Sequence, residues 1–159
     1  MGRDILAVDI LGRGESIRLA ALVTTVACNR DMMSSDSLCD DGGMRSKGQK
    51  IFESADGSIL GFAGSFAQGY RFVEWFEDEE GAPPECDEVT ILILDRKGKM
   101  TLWDGGHPTP VLEKFYAIGS GSHAAMAAMM CGKTPREAVK IACKVDTGSG
   151  GTVKTIKRE

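Results

Sequence analysis

The chain reads as an α+β domain built from antiparallel sheets. Apolar and β-branched runs come in adjacent pairs joined by turn residues, which marks hairpins, while the helical spacings fall in separate blocks. The alternation of strand with helix that would mark a parallel sheet is missing from the pattern. With 159 residues, 42% of them hydrophobic, the chain supplies one domain with a substantial core and no second domain.

The first hairpin is Val23 to Cys28 and Met32 to Ser37, turned by Asn29, Arg30 and Asp31. It places a threonine pair at one end and a carboxylate, Asp36, at the other. Cys39 to Lys47 is polar and glycine-rich and reads as a loop. A second hairpin joins Lys50–Ser54 to Ile59–Ala63 through Asp56-Gly57-Ser58, and Gly64 ends its second strand. From Ser65 the period changes: Phe66, Tyr70, Val73 and Phe76 recur at helical spacing until the acidic, proline-containing run Glu77 to Glu85, read as a solvated loop. Val89 to Leu94 is a nearly continuous apolar strand, paired across Asp95–Gly98 with Met100 to Trp103. Phe115 to Ile118 is one more strand and runs through Gly119-Ser120-Gly121-Ser122 into an Ala- and Met-rich helix. Thr134-Pro135-Arg136-Glu137 is a capping box with proline at the first helical position, predicting a helix from Pro135 to about Val145. Asp146 to Gly151 closes that helix, and Thr152 to Ile156 offers a last strand.

Composition excludes several kinds of partner. A formal net charge of -4 and few aromatic residues give no footprint for a nucleic acid backbone or an anionic membrane surface. Arg3, Asp4, Asp9, Arg13, Glu15 and Arg18 interrupt every apolar run near the start, so no targeting or membrane segment forms there. Cys28, Cys39, Cys86, Cys131 and Cys143 are odd in number and lack a C-x-x-C pair, which points to reduced thiols in a cytoplasmic setting. With the two histidines far apart, no metal site and no cofactor are expected.

Chemistry is more specific at Thr24. A threonine hydroxyl becomes a competent nucleophile once a base takes its proton, and the α-amino group of the same residue serves as that base if the residue begins the chain. Such an amine titrates near ~7.7 to 8.0, so a useful fraction of it is free base at neutral pH. Competing signals are weaker. Gly119-Ser120-Gly121 before a helix lacks the rest of a dinucleotide or P-loop pattern. Asp146-Thr147-Gly148 follows a helix, where an aspartic peptidase loop follows a strand. His107 and His123 have no matched Ser or Cys motif, and Cys28 sits mid-strand without a base.

Taken in order, Thr24-Thr25-Val26, Ser35-Asp36-Ser37, Lys47-Gly48-Gln49-Lys50-Ile51, Gly61-Phe62-Ala63-Gly64-Ser65, Ile118-Gly119-Ser120-Gly121 and Asp146-Thr147-Gly148-Ser149-Gly150 resemble the motifs of proteasome-type N-terminal-nucleophile (Ntn) hydrolases. The likeness is to the HslV peptidases and to small proteasome-like proteins of phage and bacterial genomes, and it runs from Thr24 to the C-terminus. It implies a four-layer αββα sandwich and a threonine peptidase. Under it Thr24 is the nucleophile, Lys50 lowers the hydroxyl pKa, and Asp36 fixes that lysine. Lys47 is the rival, with the apolar pair Ile51-Phe52 favouring Lys50. Ser120, Asp146 and Ser149 surround the terminal amine, the Gly64 N–H stabilises the oxyanion, and Phe62 and Ala63 line the pocket before the scissile bond. The implied partners are a peptide or unfolded protein substrate, further copies in a ring or stacked rings, and an ATPase unfoldase.

Two departures bear on these expectations. Processed members carry glycine before the nucleophile, whereas Val23 precedes Thr24 here. Residues 1–23 are therefore expected to be a leader, a propeptide or a stretch upstream of a true start at Val23, with 24–159 as the working domain. The segment from Phe76 to Val89 is also short where family members often carry a second long helix. The alternative function is a catalytically silent shell or binding protein of the same fold.

Overall fold

Alternation of side chains along a few strands sets the layering. In β1 (Thr25–Asn29), Val26 and Cys28 point to one face and Ala27 to the other. In β6 (Ile59–Gly64), Ile59 and Ala63 share the face used by Val26 and Cys28, whereas Leu60 and Phe62 point away. Two sheets therefore meet face to face over one core, and each needs a helical cover on its outer face. The computed structural model describes residues 23–41 and 43–159. The leader expected at 1–23 lies, except for Val23, outside the described residues.

The first sheet has the order β10-β1-β2-β11, with β2 at Met32–Ser35, β10 at Phe115–Gly119 and β11 at Lys154–Lys157. The second has the order β5-β6-β7-β8-β9, with β5 at Ile51–Glu53, β7 at Val89–Leu94, β8 at Met100–Asp104 and β9 at His107–Val111. Every pairing in both is antiparallel. Helix α1 (Phe66–Asp78) covers the second sheet, and α2 (Ser122–Met130) with α3 (Pro135–Val145) covers the first. The result is the expected four-layer αββα sandwich.

Local chemistry explains the element ends. The Asn29 side chain accepts from the backbone N–H of Asp31 and Met32, both at 2.9 Å, and so makes the first hairpin turn. Ser65 caps α1 by accepting from Gln68 N, and the Thr134–Glu137 capping box forms as its sequence spacing requires. Within that box the Thr134 backbone N–H and hydroxyl hold the Glu137 carboxyl below its ordinary range. Burial alone pushes the Cys28 thiol far above its usual range, so this cysteine is an inert core residue. Among the described residues no helix is long and apolar enough to cross a membrane.

The fold corrects the reading of Cys39 to Lys47 as a loop. β3 (Leu38–Asp41) and β4 (Met44–Lys47) form a separate antiparallel arm, because Asp40 accepts from the Gly43 N–H and turns a short hairpin that glycine-rich composition concealed. β9 is a further addition. Its Pro108 and Pro110 are compatible with a strand because β9 lies at the sheet edge, where an N–H can be missing.

Phe72 anchors α1 to the second sheet. Its fully buried ring lies 5.3 Å from Trp75 and 5.0 Å from Trp103, centroid to centroid. Phe72→Ala is expected to lower stability by about 3–5 kcal/mol, read as a fall in the urea midpoint at unchanged slope. A loss below ~1 kcal/mol would mean that α1 contributes little to the core.

Candidate active site

A lysine with no exposed side-chain surface must find an anion and further acceptors, or give up its charge. Lys50, just before β5, is 1% exposed and donates to Asp36 Oδ1 at 2.8 Å and to the Leu38 carbonyl at 2.6 Å. Its Nζ also donates to the Val23 carbonyl at 3.2 Å, and the Thr24 hydroxyl donates to that same oxygen. The ammonium and the hydroxyl thus converge on one atom. Lys47, in contrast, is exposed on β4.

Asp36, 1% exposed, serves more than the lysine. Its Oδ1 also accepts from the Thr25 N–H, and Oδ2 accepts from the Gly150 N–H, both at 3.0 Å. One carboxylate therefore joins the start of β1, the loop after α3, and Lys50. The Ser37 and Leu38 N–H groups both donate to the Gly150 carbonyl and lock the same loop to the entry of the arm.

On the other side of Thr24, its backbone N–H donates to Ser120 Oγ at 3.3 Å. The hydroxyls of Ser120 and Ser149 each donate to Asp146 Oδ2 at 2.6 Å. Burial alone would raise the Asp146 pKa. The two hydroxyls and the Gly148 N–H outweigh burial and hold the carboxyl below its ordinary range, so it is ionised at neutral pH. Thr24, Asp36, Lys50, Ser120, Asp146 and Ser149 are thus brought into one connected network by residues from five separate places in the chain.

The second sheet contributes less directly. The Phe62 N–H donates to the Lys50 carbonyl at 3.1 Å, so β6 runs beside Lys50, with Ala63 and Gly64 following. Gly64 has φ +116, and a Cβ there would lie 2.4 Å from the Glu88 carbonyl oxygen, so only glycine fits. Phe62 does not line an open pocket. Its ring is 1% exposed and packs against Phe52, Phe66 and Tyr70 beneath α1, because period-two alternation sends it to the face opposite Ala63. Ala63 is buried too, in the core between the sheets.

Three participants were not singled out from the sequence. Thr25 Oγ1 lies 2.6 Å from Ser149 Oγ, and the Leu38 carbonyl and Gly150 N–H complete the Lys50–Asp36 pair. A second threonine at a strand start was a usable signal for Thr25, whereas backbone groups leave none. Gly119, with φ +95, lets β10 press on Thr24: a Cβ there would lie 2.1 Å from the Thr24 carbonyl oxygen.

Removing one partner of a buried pair leaves the other charge stranded. Lys50→Met is expected to cost about 3–5 kcal/mol in chemical denaturation, while Lys47→Met stays within ~0.5 kcal/mol of the parent. Equal effects of the two would show that Lys50 is not buried against Asp36 in solution.

No family model and no curated protein matches the sequence. Solved structures do match the fold. The eukaryotic HslV of Trypanosoma brucei superposes with a TM-score of 0.69 at 23% identity, covering 84% of this chain and 98% of that one. BPH of Thiobacillus denitrificans gives 0.67 at 19% identity over 86% of this chain and 97% of its own, and its complex with Epoxomicin gives 0.66 at 20% over the same shares. Its αββα layers and antiparallel sheets give the chain the HslV-type, proteasome-like fold of the Ntn hydrolases.

Proposed function

We propose that the chain is a threonine endopeptidase whose nucleophile is Thr24 Oγ1. The observation that carries this reading is the convergence of three groups on one residue. Lys50 Nζ and Thr24 Oγ1 both reach the Val23 carbonyl oxygen, an acceptor that is removed when the chain begins at Thr24, and the Thr24 nitrogen is tied through Ser120 to the Asp146 carboxylate. With Thr24 at the N-terminus that nitrogen is a free amine. It takes the hydroxyl proton as Oγ1 attacks the substrate carbonyl, and Lys50 stabilises the developing negative charge on Oγ1. The oxyanion is held by the Gly64 N–H. Collapse breaks the C–N bond, the protonated amine gives its proton to the departing amine, and an ester on Thr24 remains. Water, deprotonated by the same amine, cleaves that ester and restores the hydroxyl.

Asp36 holds Lys50 in place, and Ser120, Asp146 and Ser149 orient the amine and keep it protonatable. Substrates are peptides or unfolded proteins, taken by an oligomer of this chain in the cytoplasm, with an ATPase unfoldase as a candidate partner. The BPH structure described in complex with Epoxomicin, which shares this fold, makes that compound the probe of choice.

A chain beginning at Thr24 is expected to hydrolyse small fluorogenic peptides and to gain one Epoxomicin mass. Thr24→Ala should lower kcat by roughly 10⁴-fold or more while circular dichroism is unchanged. The rate should rise with pH through the ordinary amine range, since the base must be neutral. Asp146→Asn removes a charge that favours the protonated amine and should move this limb to lower pH. Asp146 itself titrates below the ordinary carboxylate range, so its ionised contribution is complete above that range and is lost only as pH falls through its lowered value. Unchanged turnover in Thr24→Ala would overturn the proposal.

A further inference from the structure

One buried side chain ties the acidic segment after α1 to the end of β6. Gln68, in the first turn of α1, is 8% exposed, and both atoms of its amide are used. Nε2 donates to Asp87 Oδ1 at 2.6 Å, and Oε1 accepts from the Glu88 N–H at 2.9 Å. The Glu88 carbonyl in turn accepts from the Ser65 N–H at 2.8 Å. That same oxygen is the atom a Cβ on Gly64 would strike. Gln68 therefore sets where the Glu88 carbonyl lies, and that carbonyl fixes the Gly64–Ser65 peptide.

Few side chains could do this. A backbone N–H requires an acceptor and an ionised carboxylate requires a donor, so the bridge must offer both at one spacing, as a terminal amide does. A carboxylate in its place would meet Asp87 as a like charge, and an ammonium could not accept from Glu88. The helix beneath is held closely. The Gln68 N–H donates to Ser65 Oγ at 3.3 Å, and a Cβ on Gly69 would lie 2.6 Å from the Phe62 ring, which seats α1 directly on β6.

The Phe62 N–H faces β5, where it meets the Lys50 carbonyl, and alternation along β6 sends the Gly64 N–H to the same side, past the start of β5. At φ +116 a glycine turns freely, so the direction of this N–H needs support from both neighbours. Ala63 supplies it by pairing with Thr90, and Ser65 supplies it through Glu88. We infer that Gln68 is a positioning residue for the oxyanion donor: it touches no reacting atom, and through Glu88 it fixes where the Gly64 N–H points. This rests on Gly64 being that donor in the functional reading above, whereas the bridge itself does not.

Amide hydrogen exchange and proton–nitrogen correlation spectra of the full chain test the bridge, and peptide hydrolysis by a chain beginning at Thr24 tests its consequence. Gln68→Leu keeps a similar volume and removes both hydrogen bonds. Its Ser65 amide is expected to exchange roughly tenfold or more faster than in the parent, and its Gly64 cross-peak to move. Its kcat should fall roughly tenfold or more with KM within about twofold, because the donor acts on charge that develops only in the transition state. Val73→Ala trims the packing of α1 on the same sheet but none of these hydrogen bonds, and should leave kcat near that of the parent. Gln68→Glu should lose kcat as Gln68→Leu does. Gln68→Glu/Asp87→Asn should recover most of it, together with slow Ser65 exchange, since donor and acceptor have then changed places. Unchanged Ser65 exchange in Gln68→Leu, a kcat no lower than that of Val73→Ala, or a double variant no better than Gln68→Glu would overturn the inference. A parent whose Ser65 amide is protected through Gln68 but which hydrolyses no peptide would support the bridge and contradict the peptidase reading.

Discussion

The site depends on a lysine and an aspartate that have both left water. Neither side chain of the Lys50–Asp36 pair has exposed surface. Desolvating two charges is costly, and their attraction compensates only when the remaining donors and acceptors are also satisfied. Here they are. Asp36 collects the Thr25 and Gly150 N–H groups besides the ammonium, and the ammonium collects the Leu38 and Val23 carbonyls besides the carboxylate. Because those partners come from the start of β1, the entry to the arm and the loop after α3, forming the pair positions all of them at once.

The layers supply the rigidity that this positioning needs. β1 lies in the middle of the first sheet, flanked by β10 and β2, so Thr24 is held at the mouth of a paired strand. The β10–α2 turn brings Ser120 to its nitrogen, and the end of α3 brings Asp146 and Ser149. α2 and α3 are fixed by apolar residues such as Ala125, Ala138 and Val139 packed on the outer face of the sheet. A polar network is thereby supported by an apolar frame, and rearranging it would disrupt the packing of the frame.

Much of this was readable in the residues. Paired apolar runs gave the hairpins, and the spacing of Thr134 and Glu137 gave the start of α3. What escaped was set by tertiary context. The arm of β3 and β4 is polar and short, so period-two alternation has nothing apolar to display. Phe62 sits beside residues that border Lys50, but which face of β6 it occupies depends on register, and register sends it under α1. Between Lys47 and Lys50 the sequence favoured the second by its strand neighbours, and Lys50 is the one of the two that is buried, against Asp36. Leu38 and Gly150 contribute main-chain atoms, for which side-chain identity carries no signal.

The proposed mechanism requires the Thr24 nitrogen to be a base, which an amide is not. Peptide turnover should be compared between a chain beginning at Thr24 with a free amine and the same chain acetylated at that nitrogen. The account predicts hydrolysis by the first and none by the second, with both folded. Equal rates from the two would contradict it, since some other group would then have to accept the hydroxyl proton.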